Sequence, residues 1–421
     1  MITKAKNTFH EYPRTFWTLI AASFVDQLGG FILLPFFALY ITDHFSVGMT
    51  QVGILFTIFA ASSLVGSVLG GALTDKFGRK SLILFGLLVS ALFSVFMGFV
   101  NSLALFYLIA GIAGLMGSAG GPARQAMIAD ILPEEQQTEG FGISRISANL
   151  AASIGPMLGG LLAAQSFLYL FIADAITSVI MAVIVILVLP ETKPDLPEGQ
   201  EEESLAQTVG GYGLVFRDHV YMAFIVVSMF MALVYFQMNT TLSVFLRDVH
   251  SIQPLGFGYI LSLNASMVVL FQFWVTRRIS SRPPMLVMAF GTVFYIFGFG
   301  MYGFISGENV FVLAMLAMVI ITIGEMIVTP VAQALVAKFA PSDMRGRYMA
   351  IYGMSWSIPI AFGPLAAGIL MDNYDPNWVW YAAGIISIFT VIGFLSIHTK
   401  TQVRLAKKDD EFAPASALAA D

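Results

Sequence analysis

Five ionisable residues stand inside long apolar runs of this sequence: Asp26, Arg124, Arg145, Asp174 and Glu325. A charge at the centre of a membrane-spanning helix costs about 2.5–3.5 kcal/mol on insertion scales, so each needs a partner or a task. Asp26 lies about 12 residues into its run, roughly 18 Å deep at ~1.5 Å per helical residue. Glu325 has a similar depth in a later run, Asp174 lies towards the other end of its run, and the two arginines lie towards the basic end of theirs. A carboxyl group in a low-dielectric cavity can be loaded with a proton and emptied again when a guanidinium approaches. Asp26, Glu325, Arg124 and Arg145 are therefore the candidates for proton coupling. Structural roles compete: Arg145 could pair with Glu139 or Asp130, and Asp174 could bond within its own bundle.

Soft and aromatic side chains surround two of these acids in sequence. Gln27, Phe36 and Tyr40 follow Asp26, and Tyr235, Phe236, Gln237, Met238 and Asn239 form a mixed aromatic and amide stretch. Such a lining suits a large, apolar, cationic small molecule drawn by Asp26 and Glu325. The expected substrate-binding set is Asp26, Gln27, Phe36, Tyr40, Tyr235, Gln237, Met238, Asn239 and Glu325. For any one aromatic, packing or lipid contact is the commoner role. No cofactor, metal or enzymatic chemistry is expected. His10, His44, His219, His250 and His398 stand singly, and the sequence holds no His-Glu-x-x-His site, Gly-x-Ser-x-Gly elbow or phosphate loop.

These residues need elements to position them. Of 421 residues, 57% are hydrophobic and 11% charged, against roughly 25% charged in soluble domains. A transmembrane helix takes about 20 mostly apolar residues, and twelve such runs appear, near 15–42, 49–73, 81–100, 103–128, 139–163, 167–189, 220–246, 254–276, 283–305, 310–339, 345–371 and 377–398. A cleaved leader is not expected, because the first run continues past Tyr40. The absence of cysteine rules out disulfides and thiolate metal sites, and the net charge of -5 gives no reason to expect nucleic acid. Lys and Arg cluster at alternate connections, among them Lys76, Arg79 and Lys80, then Arg277, Arg278 and Arg282, whereas the opposite connections hold only Arg247. Both termini are thus expected in the cytoplasm.

The chain also repeats itself. A shift of 208 residues lays Pro122 on Pro330, Gln125 on Gln333, Pro133 on Pro341, Gly155-Pro156 on Gly363-Pro364 and Gly160 on Gly368. The expected fold is all-α, two co-oriented six-helix bundles related by a pseudo-twofold axis along the membrane normal, with a substrate site between them. The expected organisation is a bundle over 1–189, a cytoplasmic linker over 190–219 with Glu198, Glu201, Glu202 and Glu203, a second bundle over 220–400 and a tail over 401–421.

Gly71-Ala72-Leu73-Thr74-Asp75-Lys76-Phe77-Gly78-Arg79-Lys80 is a dense polar loop beside a membrane helix. Gly71 would allow close helix approach, Gly78 a tight turn, and Arg79 and Lys80 charge-assisted bonds across the loop. This stretch resembles the signature loop of the major facilitator superfamily, Gly-x-Leu-Ala-Asp-Arg-x-Gly-Arg-Arg/Lys, and the likeness extends over all twelve runs. The resemblance implies that Asp75 and Arg79 pair with Asp130 as a latch on the cytoplasmic side, with Gly71, Gly78 and Lys80 building the loop. Gly142, Gly155-Pro156 and Gly159-Gly160 resemble the antiporter signature of that family's drug:proton branch, with Ala151 replacing one glycine, and imply a hinge in the fifth helix. The branch's Arg-x-x-Gln-Gly is missing, and Arg124-Gln125 stands further along. Pro122-Ala123-Arg124 with Arg345-Gly346-Arg347-Tyr348 is most similar to MdtH-like bacterial drug exporters. The resemblance implies a proton-coupled, monomeric exporter in the bacterial inner membrane whose partners are protons, lipid and a small-molecule substrate. A symporter or uniporter for a lipid, sugar or siderophore is the alternative, and an intramembrane enzyme with Asp26 and Asp174 as an acid pair is a remote one.

Overall fold

The computed structural model describes residues 11–193, 213–279, 282–340 and 345–412. Most of the expected linker with its four glutamates, together with Lys4, Lys6 and the last residues of the tail, lies outside them. Among the described residues all regular structure is helical, and twelve helices are long and apolar enough to cross a membrane: Arg14–His44, Met49–Gly71, Arg79–Phe99, Leu103–Ile131, Glu139–Ala163, Leu168–Val188, His219–Thr240, Pro254–Ile279, Pro284–Tyr302, Val310–Val336, Ile351–Asn373 and Trp378–Ala406. Helices satisfy every backbone donor and acceptor internally, which hydrocarbon demands. Their outer faces stay apolar: Leu187 is 76% exposed and Phe273 74%. Such positions make sense only against lipid.

Two spans are interrupted. The fourth consists of helices Leu103–Gly117 and Gly120–Ile131, broken at Ser118 and Ala119 just before Pro122. Proline sits well in the first turn of a helix, where its missing N–H costs nothing. The seventh stops at Thr240, and a short helix, Leu242–His250, follows in place of a single run to residue 246.

The described chain forms two compact units whose limits are not those of the sequence halves. The first takes in residues 1–198 with 237–269 and 361–374; the second takes in 199–236, 270–360 and 375–421. Within the first, the first span packs on the fifth and sixth, the third on the sixth, and the second on the fourth. Phe16, Leu19, Leu82, Met127, Met181 and Val185 fill part of its core. Within the second, the ninth span packs on the tenth and twelfth around Tyr295, Phe299 and Tyr302, all buried.

Small residues set how closely these helices approach. A methyl group built on Gly66 would overlap the Leu115 carbonyl, and one on Gly70 would meet the backbone of Ala119. Around Gly71 nothing lies within 4 Å. The close approach expected at Gly71 therefore falls on its neighbour, since adjacent helical residues point about 100° apart and only one can face the fourth span.

Gly66→Ala should destabilise the protein by roughly 1–3 kcal/mol through overpacking, whereas Gly71→Ala should be neutral or gain up to ~1 kcal/mol from helix propensity. Thermal unfolding of the purified variants tests the contrast; equal losses would show that the second and fourth spans do not meet at Gly66.

Candidate functional site

The first unit contains a chamber of about 510 Å³ between the first, second, third, fourth and sixth spans. Its polar wall includes Asp26, Gln27, Ser94, Asp174 and Ser178, and its apolar wall includes Phe31, Phe37, Phe56, Phe59 and Met97. Asp26 is held from two sides. Its Oδ2 accepts from Arg124 Nη2 at 2.9 Å, and its Oδ1 accepts from the Ser178 hydroxyl at 2.9 Å. Arg124 comes from the second helix of the broken fourth span, so that interruption lies just before the cation that meets the first span's acid. The pair is monodentate: Arg124 Nε is buried without a hydrogen-bond partner. Asp174 and Ser178 share one face of the sixth span, four residues apart. A Cβ on Gly29 would lie 3.0 Å from Asp174 Cα and 3.1 Å from its Oδ1, so only glycine lets the first span come this near.

Several expected residues are elsewhere. Phe36 is fully buried against Gly159 and the ring of Phe257, 5.6 Å centroid to centroid. Tyr40 is buried and donates to the Met97 carbonyl at 3.0 Å. Both are packing residues, and the ring that lines the chamber next to Phe36 is Phe37. Gln237 and Met238 are buried too, Gln237 accepting from Thr241 at 2.6 Å, while Asn239 is half-buried. Arg145 is exposed on the fifth span and does not line the chamber. Glu325 lies in the second unit, where it accepts from the Tyr235 hydroxyl at 2.8 Å. Tyr235 in turn stands edge-on to Trp356 at 5.9 Å and near Tyr295 at 6.3 Å.

On the Lys/Arg-rich side, Gly78 takes φ +93°, a conformation that disfavours a side chain, and turns the second span into the third. Arg79 Nε donates to Asp130 Oδ2 at 2.9 Å. Lys80 Nζ donates to the carbonyls of Ile186 and Leu189. The Asp75 side chain lies outside the described ones, as do those of Arg345 and Arg347. Sequence reasoning missed Glu191, which it left in the linker. Its carboxylate accepts from the backbone N–H groups of Arg79 at 2.8 Å and Lys80 at 3.1 Å, at the start of the third span. The Thr192 hydroxyl adds a bond to Asp130 at 3.1 Å. Burial pushes the Glu191 carboxyl up, but backbone N–H bonds from Arg79, Lys193, Thr192 and Lys80 outweigh it and hold the group below the usual range. The available signal was an acid between Pro190 and Pro194 just past the sixth span's end, followed at once by Thr192 and Lys193.

The opposite ends of the first unit's helices carry a second set of ties. Asp372, ending the eleventh span, accepts from Met49 N–H at 2.9 Å and Thr50 N–H at 2.7 Å at the start of the second. A Cβ on Gly48 would strike that carboxylate. Arg247 donates to Thr42 Oγ1 at 2.9 Å and to the Leu39 carbonyl at 3.3 Å. A Cβ on Gly160 of the fifth span would come within 3.1 Å of Gly258 Cα in the eighth. Of the expected hinge glycines, Gly155 abuts Phe31 and Gly159 abuts Ile32, Gly142 has nothing within 4 Å, and Pro156 lies inside a continuous helix, Glu134–Ala163.

The family model described as Major Facilitator Superfamily matches residues 19–327 and, in a second match, 287–420. A Planococcus maritimus protein named Na(+), Li(+), K(+)/H(+) antiporter is 24% identical, over 92% of this chain and 94% of its own. The Escherichia coli multidrug resistance protein MdtH is 24% identical, over 93% of this chain and 96% of its own. Among solved structures, the nucleoside transporter NupG superposes with a TM-score of 0.72 at 16% identity, over 91% of this chain and 99% of that one. A peptide transporter, POT, gives 0.73 at 17% identity, over 94% and 95%. At such identities the structural likeness establishes the fold.

Two outcomes test the ties. The Glu191 carboxyl is depressed, so its contribution is complete above the ordinary glutamate value of about 4.3 and is lost as pH falls through the lower native value. Amide-exchange protection at Arg79 and Lys80, wild type relative to Glu191→Gln, should fall towards unity over that window; a pH-independent ratio would refute the cap. For the opposite side, the Thr57 hydroxyl of the second span donates to the Ala361 carbonyl of the eleventh, and the sequence has no cysteine of its own, so Thr57→Cys provides a single label at that seam. Asp372→Ala removes two charge-assisted bonds, each worth about 1.5–3 kcal/mol before solvent screening, and should raise maleimide labelling at that site several-fold. Unchanged labelling would mean that Asp372 holds nothing shut.

Proposed function

The chain belongs to the Major Facilitator Superfamily and is a transporter with no enzymatic role, and from this we propose that it is a proton-coupled exporter of lipophilic, cationic compounds. The observation that carries the proposal is the Asp26–Arg124 pair set in an aromatic-lined chamber. A chamber walled by rings and by carboxylates attracts organic cations through the ring faces and the charge. An ion pair of this kind holds its guanidinium in place while the chamber takes up a proton or a cargo. Glu325 with Tyr235 is the corresponding acid of the second half. The names of two relatives agree with this class of activity, one being a multidrug resistance protein and the other an antiporter.

The cycle we infer is alternating access by two six-helix halves. Asp75, Arg79 and Asp130, with Gly78, Lys80 and Glu191, form the latch on the basic side, and Asp372 with Arg247 ties the other. The positive-inside bias supports a cytoplasmic position for that side, and the family resemblance supports a bacterial inner membrane and a monomeric working unit. A second reading is exchange of monovalent metal cations for protons. It is favoured by the acid-bearing chamber together with the Planococcus relative's name.

Proteoliposomes with an imposed pH gradient test the proposal. Wild-type protein should drive a fluorescent cationic dye against its gradient only while protons flow the other way, and Asp26→Asn should move dye without coupling. Dye movement that ignores the gradient, or gradient-driven sodium flux without any dye movement, would overturn it.

A further inference from the structure

The chamber of the first unit carries a charge that its own residues do not neutralise. Its walls and their immediate partners bring two carboxylates, Asp26 and Asp174, and one guanidinium, Arg124, which is committed to Asp26 at 2.9 Å. Asp174 has Ser94 beside it, but the single hydroxyl proton of Ser94 is also claimed by the Phe171 carbonyl at 3.2 Å. A hydroxyl in any case supplies a dipole and no counter-charge. The groups facing Asp174 from neighbouring elements are few. From the first span come Asp26 and Gln27, whose amide N–H donates to the Ser23 carbonyl at 3.0 Å. From the third come Ser90 and Ser94 with apolar side chains, and from the fourth Ala113, Gly117 and Ser118. The fifth span's Arg145 is ten residues from Gly155, which abuts Phe31, hence about 15 Å along the helix, and does not line the chamber. Inside a bilayer an unmatched carboxylate is expensive enough that something must neutralise it.

We propose that Asp174 is the residue at which cargo and proton exchange, in the chamber lined by the first, second, third, fourth and sixth spans, and that the cargo is a monovalent organic cation with an apolar flank. The inference rests on the proton-coupled export reading and names the site for it. The volume of about 510 Å³ falls within the ~300–1,000 Å³ typical of small-molecule sites. Phe31, Phe37, Phe56 and Phe59 offer ring faces to a cation and apolar surface to the rest of the molecule. The exchange balances simply: the proton of the neutral carboxyl leaves to water, and the carboxylate so formed pairs with the incoming cation. Asp26 acts through Arg124 as a positioning residue. Its carboxylate holds the Arg124 guanidinium at 2.9 Å, and a guanidinium released from it would be drawn to the chamber's remaining carboxylate. That accounts for the loss of coupling expected in Asp26→Asn.

The test is ethidium binding to the purified full chain, read by fluorescence anisotropy between pH 4.5 and 8, beside dye transport in proteoliposomes. One proton displaced per cation bound makes wild-type affinity rise with pH while the carboxyl is protonated, by at most about tenfold per unit, and level off once it is ionised. Asp174→Asn should weaken binding at least several-fold and flatten this dependence, and Asp174→Glu should restore the slope. Phe59→Ala should weaken binding while leaving the slope as it is, a result that general damage to the fold would not give. If Asp174→Asn does not insert, the slope in Asp174→Glu decides: a flat profile overturns the assignment. Retention of the wild-type slope by Asp174→Asn, in a protein that still exports dye under a pH gradient, sinks the site and leaves the export reading standing. A wild-type chain that neither binds nor moves ethidium sinks both, and sodium displacing the proton where ethidium does not overturns the cargo class.

Discussion

Charge carried into hydrocarbon has to be matched, and the first unit is arranged around that requirement. Asp26 can sit deep in the first span because Arg124 reaches it from the fourth and Ser178 from the sixth. Those bonds need the first and sixth spans side by side, which Gly29 permits by presenting no side chain to Thr177 and Asp174. The break at Ser118 and Ala119 starts a fresh helix two residues before Pro122 and four before Arg124. Packing, helix interruption and the ion pair therefore depend on one another. Removing the pair's cation would leave two carboxylates in one apolar chamber, a far larger cost than any single contact supplies.

The ties at the two ends of these helices use a different device. Glu191 and Asp372 each place a carboxylate on the free backbone N–H groups at a helix start, the third span's and the second's. The first turn of every helix leaves such donors unpaired, and the helix dipole favours an anion there. A carboxylate can leave such a site and be replaced by water at little cost, because no buried cation is stranded behind it. The Arg79–Asp130 bond is tighter, since Arg79 is 9% exposed and its guanidinium would be left without that partner.

Much of this was legible in the sequence, because hydrophobic length and loop charge are local properties. The twelve spans, the turn at Gly78 and the partnership of Arg79 with Asp130 could be reached from composition, spacing and a family resemblance. Facing could not. Gly70 and Gly71 are indistinguishable in sequence, as are Phe36 and Phe37, yet in each pair only one faces the feature in question. In an all-apolar helix the usual polar stripe that fixes rotation is missing, so rotation is set by packing with distant spans. Glu191 and Asp372 escaped for a related reason. Their partners are backbone groups, which leave no residue-type signature, and Asp372 reaches a helix start more than three hundred positions away.

The repeat shows which features duplication kept and which it let go. Glycines and prolines that shape helices recur at the shift of 208, but the buried charges do not: Asp26 falls on Val234, Arg124 on Ala332 and Asp174 on Ala382, while Glu325 falls on Gly117. Shape residues must persist in both copies, because each bundle has to fold. An ionisable residue is needed once, and a second copy would add its full insertion cost again. Proline itself has diverged in effect, as Pro122 opens a new helix after a break and Pro330 lies within the continuous helix Val310–Phe339. One copy therefore has a continuous tenth span with Glu325 bonded to a tyrosine, and the other has the interruption that lies just before the arginine bonded to an acid. The first unit's chamber could acquire its unbalanced charge only because the repeat's architecture no longer depended on both copies being alike.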